Sequence, residues 1–323
     1  LYPHIRPSRA TVRAMGEAVR RLGKEDLKGY LGDAEDAVAE LVGHRYVDLA
    51  PSGTCALQWA LAAAGDKVMV PDQGGWRGFL EYPPVSGIET CFLETELGLI
   101  HPETLQQALE RETPDALILT SFAGYMAEQD VKEISKLCRE YGVILVEDAS
   151  GAVGDGTLAD GRHSDIIICS TGSPKIINVG TGGFITTDNQ DLRQRWQDHA
   201  RACRAEPVVA AGIGAEVDRA RRRVRRLLEF SEMLKEELPD AVHRERRGIS
   251  VGIRLEKIPP KRFTGRAHRA GLVTDLGRGF LTRCPRYDRF KERGVVLELK
   301  KLDVEKMDPA DVHRIAGILK SCM

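Results

Sequence analysis

The sequence predicts an α/β fold: a mostly parallel sheet covered by helices on both faces, followed by a smaller α+β unit. Three observations carry that reading. Between about residues 46 and 188, short apolar runs alternate with segments of helical period. Those runs, among them "ALILTSF", "VILVED" and "DIIICS", are apolar at nearly every position, as in strands buried on both faces. After Asp188 the rhythm changes to long charged helices with two further strand-like runs.

In chain order, "YVDLA" reads as the first strand and leads into the helix "TCALQWALAAA". "KVMVP" and "ETCFLE" are the next strands, followed by the helix "PETLQQALERE", the strand "ALILTSF" and the helix "VKEISKLCREYG". "VILVED", "DIIICS" and "GFITTD" complete the sheet. Helices are then expected near 190–203 and 215–237, strand-like segments at "GISVGIRLE" and "VVLELK", and a closing helix in "DPADVHRIAGILKSCM". The expected division is a large domain with an N-terminal helical arm over residues 1–200, and a small C-terminal α+β domain over residues 201–323.

Composition narrows the function classes. The 323 residues are 42% hydrophobic and 29% charged, with no apolar run of about 18 residues that could span a bilayer. The first residues lack the apolar core of a secretory signal, so the expected location is the cytoplasm. Seven cysteines are scattered singly without a CxxC spacing, which argues against a zinc site and a disulfide framework. The net charge is −1, yet residues 1–189 carry 16 Lys+Arg against 28 Asp+Glu, and residues 190–323 carry 31 against 20. A basic region can meet nucleic acid, an anionic small substrate or an acidic partner surface. No RNA-reading motif is present, so nucleic acid is not the expected partner.

Ligands in such folds sit at the carboxyl ends of the strands, and four strand-end loops carry chemistry. "APSGTCAL" places Ser52, Gly53 and Thr54 at a helix start, where free N–H groups and hydroxyls can cradle an anion. Taken alone this is weak, since Ser or Thr at a helix start is usually only an N-cap. "VILVEDASG" ends a strand in Glu147-Asp148, and alternation turns one carboxylate toward the crevice. Asp148 could hold a proton on a ring nitrogen. "STGSPKIINVGTGG" sets Lys175 in a loop of small residues between two buried strands. An ammonium there is costly unless something uses it, and its use is a Schiff base formed by an amine of lowered pKa. "VPDQGGWRGF" brings Trp76 in on a glycine-rich approach as an aromatic face. Pyridoxal 5'-phosphate (PLP) asks for these four features: an anion cradle, a lysine, a carboxylate and an aromatic face.

On these residues the sequence resembles the DegT/StrS aminotransferases, sugar aminotransferases of PLP fold type I. The resemblance runs from about Leu31 to Asp188, through "GDAEDAVAELVGHRYVDLAPSGTCALQWAL", "SFAGYMAEQDVKEISKLCREYGVILVEDASGAVG" and "CSTGSPKIINVGTGG". It implies that Lys175 forms the Schiff base with PLP, that Asp148 partners the pyridine nitrogen, and that Trp76 stacks on the ring. Ser52, Gly53, Thr54 and Ser170 would then hold the phosphate. The family's Gln and His after the Asp are here Gly151 and Val153, its acidic residue before the paired glycines is Thr181, and its Asn-Tyr-Arg segment has no clear counterpart after Arg204.

The resulting expectation is a PLP-dependent aminotransferase taking an amino group from an amino acid donor to a keto or aldehyde acceptor, sugars included. Lys175 and Asp148 would be its catalytic residues. A PLP-dependent lyase or sulfur-transfer enzyme shares the same cofactor set, and a non-catalytic PLP-fold binding module is a further alternative. The resemblance also implies a homodimer with the site near the subunit boundary. Some basic residue of the second part, for instance in the Arg219 to Arg226 run, is then expected to stand in for the missing cross-subunit ligand.

Overall fold

The computed structural model describes residues 1–24 and 26–323. Two N-terminal helices, α1 (Arg9–Arg21) and α2 (Lys28–Val42), precede β1 (Tyr46–Ala50) and α3 (Gly53–Ala64). There follow β2 (Lys67–Pro71), α4 (Gly78–Val85), β3 (Glu89–Leu93), α5 (Pro102–Glu112) and β4 (Ala116–Thr120). A short hairpin of β5 (Phe122–Ala123) and β6 (Ala127–Glu128) leads to α6 (Val131–Glu140), β7 (Ile144–Asp148), β8 (Ile166–Ser170) and β9 (Gly183–Thr187).

These strands form a seven-stranded sheet in the order β1-β9-β8-β7-β4-β2-β3. It is parallel except at β9, which runs antiparallel to both β1 and β8. Successive residues of its strands enter opposite cores, the reason the runs are apolar throughout. In β8, Ile166 and Ile168 pack with Leu57, Trp59 and Leu61 of α3, whereas Ile167 and Cys169 join the core on the other face.

Beyond the sheet lie α7 (Gln190–Ala202), α8 (Pro207–Val217), α9 (Ala220–Glu237), β10 (Val251–Arg254) and α10 (Pro260–Arg269). The chain closes with β11 (Leu281–Cys284), β12 (Gly294–Leu297) and α11 (Pro309–Cys322). The last three strands make an antiparallel sheet in the order β10-β12-β11.

The helix expected at 215–237 corresponds to α9, begun five residues early, and the helix α8 before it was not expected. Apolar α8 lies against α1 and α2, and its chain turns at Asp218 and Arg219 into the charged α9. A buried polar connection pins this corner. Thr11 of α1 donates its hydroxyl to Glu216 of α8, Glu216 pairs with Arg223 of α9 at 2.6 Å, and Arg223 donates to the carbonyl of Ile176. Removing Glu216 or Arg223 would leave the other as an uncompensated buried charge, at a cost of about 3–5 kcal/mol. On the opposite face Asp48 of β1 accepts from Arg193 at 2.8 and 3.0 Å and from the Trp196 indole at 3.0 Å, which seats α7 against the sheet edge.

Candidate active site

At the carboxyl ends of β1, β7 and β8 lies a cavity of about 210 Å³. Its lining includes all seven residues singled out from the sequence, Ser52, Gly53, Thr54, Trp76, Asp148, Ser170 and Lys175, together with Ser150, Ile168 and Cys169.

The anion corner is built by the start of α3. Ser52 Oγ accepts from the Cys55 N–H at 3.1 Å, and its carbonyl accepts from Ala56 at 3.1 Å. The N–H groups of Gly53 and Thr54, in the first turn, have no intrahelical carbonyl to meet. Glycine at 53 is required by a close approach, since a Cβ there would lie 2.5 Å from Ser170 Cβ. Hydroxyls of Ser52, Thr54 and Ser170 surround the same corner. The donor set suits a phosphate.

The end of β7 separates its two carboxylates. Glu147 is buried and accepts from Ser121 at 2.6 Å, from Ser164 at 2.6 Å and from the Ala159 N–H at 2.9 Å. Burial pushes its pKa up against the pull of those bonds, and its role is to anchor loops beneath the site. Asp148 turns the other way, into the cavity. Its Oδ1 accepts from the Ser150 N–H at 3.0 Å, and Ser150 Oγ accepts from the Ser170 N–H at 2.8 Å. Ser150 thus joins the carboxylate to the anion corner, a link the sequence reading missed.

Lys175 donates from Nζ to the Tyr125 hydroxyl at 2.9 Å. Burial lowers its pKa, but Tyr125 and Asp148 outweigh burial and the net direction is up. This corrects the lowered pKa expected from the sequence. The reason is local: the amine sits beside a phenol oxygen and a carboxylate rather than in an apolar pocket.

Tyr125 is the principal residue that sequence reasoning missed. It follows the hairpin strand β5 and holds φ at +68°, a left-handed conformation uncommon for a bulky side chain. Its ring lies against Gly151, where a Cβ would approach Tyr125 Cδ1 to 2.7 Å. The signal was the glycine at 151: a small residue there leaves space, and a ring from another loop fills it.

Trp76 lines this cavity and a second one adjoining it. Its ring is braced edge-on by Phe79, with centroids 6.2 Å apart. Four arginines of the 219–226 run have partners within the chain, while Arg221 and Arg225 are exposed. Arg219 and Arg222 bind Glu305, Arg223 binds Glu216, and Arg226 reaches Glu229 and the Met307 carbonyl. Among the described residues, no group of three or more His, Cys, Asp or Glu side chains could hold a metal, and no helix is long and apolar enough to cross a membrane.

Comparison with known proteins gives two family matches. The model of the DegT/DnrJ/EryC1/StrS aminotransferase family matches residues 21–210, and that of the MJ1341 family C-terminal domain matches residues 221–320. Protein MosB of Rhizobium meliloti is 32% identical over 182 residues, which are 53% of this chain and 34% of that protein. The UDP-4-amino-4,6-dideoxy-N-acetyl-beta-L-altrosamine transaminase of Campylobacter jejuni is 28% identical over 169 residues, 50% of this chain and 44% of that enzyme. The chain therefore spans less than half the length of these curated relatives. The crystal structure of 3-amino-5-hydroxybenzoic acid (AHBA) synthase superposes with a TM-score of 0.81 at 17% identity, covering 100% of this chain and 98% of that one. That likeness shows a shared fold.

Proposed function

The chain belongs to the DegT/DnrJ/EryC1/StrS aminotransferase family, and from that premise we propose that it moves an amino group from an amino acid to the carbonyl of a keto or aldehyde acceptor, a sugar foremost. Its fold is fold type I of the PLP-dependent enzymes, and PLP is the cofactor. One observation carries the reading: an anion corner, a carboxylate, an indole and a lysine meet in one cavity. The Campylobacter relative's name, a sugar transaminase, supports a sugar acceptor.

In this reading Ser52, Thr54, Ser170 and the N–H groups of Gly53 and Thr54 bind the phosphate, and Trp76 covers the ring. When bound, PLP supplies an aldehyde for the donor's amino group and a ring that accepts electrons from the bond broken at Cα. Asp148 holds a proton on the ring nitrogen with the oxygen that Ser150 leaves unused. Lys175 would be the covalent anchor, and once displaced its Nζ would carry a proton from the substrate's Cα to C4′, the carbon of the cofactor's former aldehyde. The Tyr125 hydroxyl orients Nζ for that transfer. Ile168 and Cys169 close the apolar floor against water.

The division at residue 200, with a PLP-binding part before it and a small α+β part after it, belongs to the same proposal. So does a homodimer, for which an acidic first part and a basic second part can pair twice across a two-fold axis. Seven free thiols suit the cytoplasm. The deciding experiment follows the absorbance of the PLP-loaded protein against a panel of amino acids. Conversion of the cofactor to its amine form identifies the donor; no conversion by any amino acid refutes aminotransfer.

A further inference from the structure

Next to the cofactor cavity is a second one of about 240 Å³, which shares Trp76 and Lys175 with it. Its far wall comes from the loops flanking β12. Four cationic side chains, Lys175, Arg289, Lys300 and Lys301, line it against one carboxylate, Asp288. Arg289 is 7% exposed, and its Nε donates to the buried Glu298 at 2.7 Å.

Lys300 is the unusual member. Its side chain is 10% exposed, and its Nζ lies 3.1 Å from the centroid of the Tyr125 ring. The nearest carboxylate oxygen, on Glu298, is 3.7 Å away, beyond hydrogen-bond reach. Among the described residues this Nζ has no hydrogen-bond acceptor, so a cation–π contact and a distant charge are all that compensate its burial. Burial holds the amine's pKa well below its ordinary value, with Glu298 offsetting only part of that. Tyr125, whose hydroxyl receives Lys175, therefore carries Lys300 on its face, with the Arg289 guanidinium carbon 5.0 Å from the ring centroid. An anion entering the cavity would supply the acceptor that this amine lacks and favour its charged form.

We propose that the cavity bounded by Tyr125, Arg289 and Lys300 binds a carboxylate group of a small amino acid or oxo acid, with the Lys300 amine as its principal ligand. The identity of the molecule bearing the carboxylate rests on the aminotransfer reading above; the anion site itself rests on the cation cluster. A carboxylate seated there gives the Lys300 amine its missing acceptor and places the rest of the molecule toward Lys175.

The test is calorimetric titration of glutarate, a dicarboxylate with neither amine nor carbonyl, into the PLP-loaded protein. Lys300→Met and Lys300→Arg are measured alongside, with thermal unfolding of each. The expected result is glutarate binding that weakens about 10- to 100-fold in Lys300→Met, as for loss of a charged hydrogen bond, and is largely restored by Lys300→Arg. The Met variant should melt at or above the wild type, because replacing a poorly compensated buried charge by an apolar chain is neutral or stabilising. Equal glutarate affinity in wild type and Lys300→Met overturns the proposal, and so does a Met variant that melts well below the wild type, which would make Lys300 a packing element.

Repeating the titrations with glutamate on the aldehyde form and 2-oxoglutarate on the amine form tells donor from acceptor, since the variant weakens whichever reactant uses the site. Should the protein take up no PLP at Lys175, the aminotransfer reading fails by itself. Glutarate titrated into the protein as purified then still decides the anion site, through its dependence on Lys300.

Discussion

Gly151 and Tyr125 fit each other: a Cβ at 151 would lie 2.7 Å from the Tyr125 ring, and that ring places its hydroxyl 2.9 Å from Lys175 Nζ. Replacing Gly151 by Ala should therefore displace the ring and with it the hydrogen bond. The expected outcome is a drop in turnover of about tenfold with cofactor uptake retained, in line with the sensitivity of catalysis to misplacements near 1 Å. Unchanged turnover would mean that the ring's position is not needed.

Tyr125→Phe isolates the hydroxyl. It removes a partner that holds the Lys175 amine's pKa up, so the amine should titrate at lower pH than in the wild type. The check is the pH dependence of Lys175 modification by an amine-selective reagent on the cofactor-free protein. Reactivity should extend to lower pH in the Phe variant; an upward shift would contradict the assigned hydrogen bond.

Borohydride reduction of the PLP-loaded protein followed by peptide mapping should place the label on Lys175. Lys300 lines the adjoining cavity and is the informative alternative. Label on Lys300 would move the anchor and reverse the roles of the two cavities.

Asp148→Asn should keep PLP but lose most turnover, because a neutral amide holds no proton on the ring nitrogen. Affinity for PLP should change little, since the anion corner and Trp76 are untouched. A fully active Asn variant would remove Asp148 from the mechanism.

Glu35 of α2 offers a test of stability away from the site. Burial, with Asp48 adding to it, raises its pKa to about 7. A carboxyl raised in the folded state is protonated in both states at low pH. As pH rises past its unfolded value the unfolded chain ionises first, so stability falls until the folded pKa is passed. Glu35→Gln should match the wild type near pH 4 and exceed it by about 1 kcal/mol near pH 8, a figure discounted for partial exposure. Urea unfolding at the two pH values measures this, and a variant less stable at the higher pH would contradict the sign.

The sheet was legible because strands buried on both faces must be apolar at every position, as in "DIIICS". That the candidate residues share one cavity was legible for a related reason, since they sit at the ends of those strands, where Asp148 and Ser170 close β7 and β8. Much less could be read beyond Asp188. Helix α8 is apolar over most of its surface because α1 and α2 also cover it, so it lacks the one-sided stripe that marks a helix, and only its last three residues fall within an expected helix. The antiparallel direction of β9 leaves no mark in an apolar run, because reversal changes neither face. Tyr125, Arg289 and Lys300 escaped notice because only the fold brings a hairpin residue and the two sides of β12 to Lys175.

The buried connection from Thr11 through Glu216 and Arg223 to the Ile176 carbonyl has a mechanical meaning. It ends one residue past Lys175, so the helix nearest the N-terminus acts as a distant brace for the Lys175 amine. A shift of α1 would strip one acceptor-bound hydroxyl from Glu216, retune the pull of Arg223 on that carbonyl, and reach Lys175 through the backbone alone. The rigidity of the amine's loop is thus shared with a surface helix more than 150 residues away in sequence.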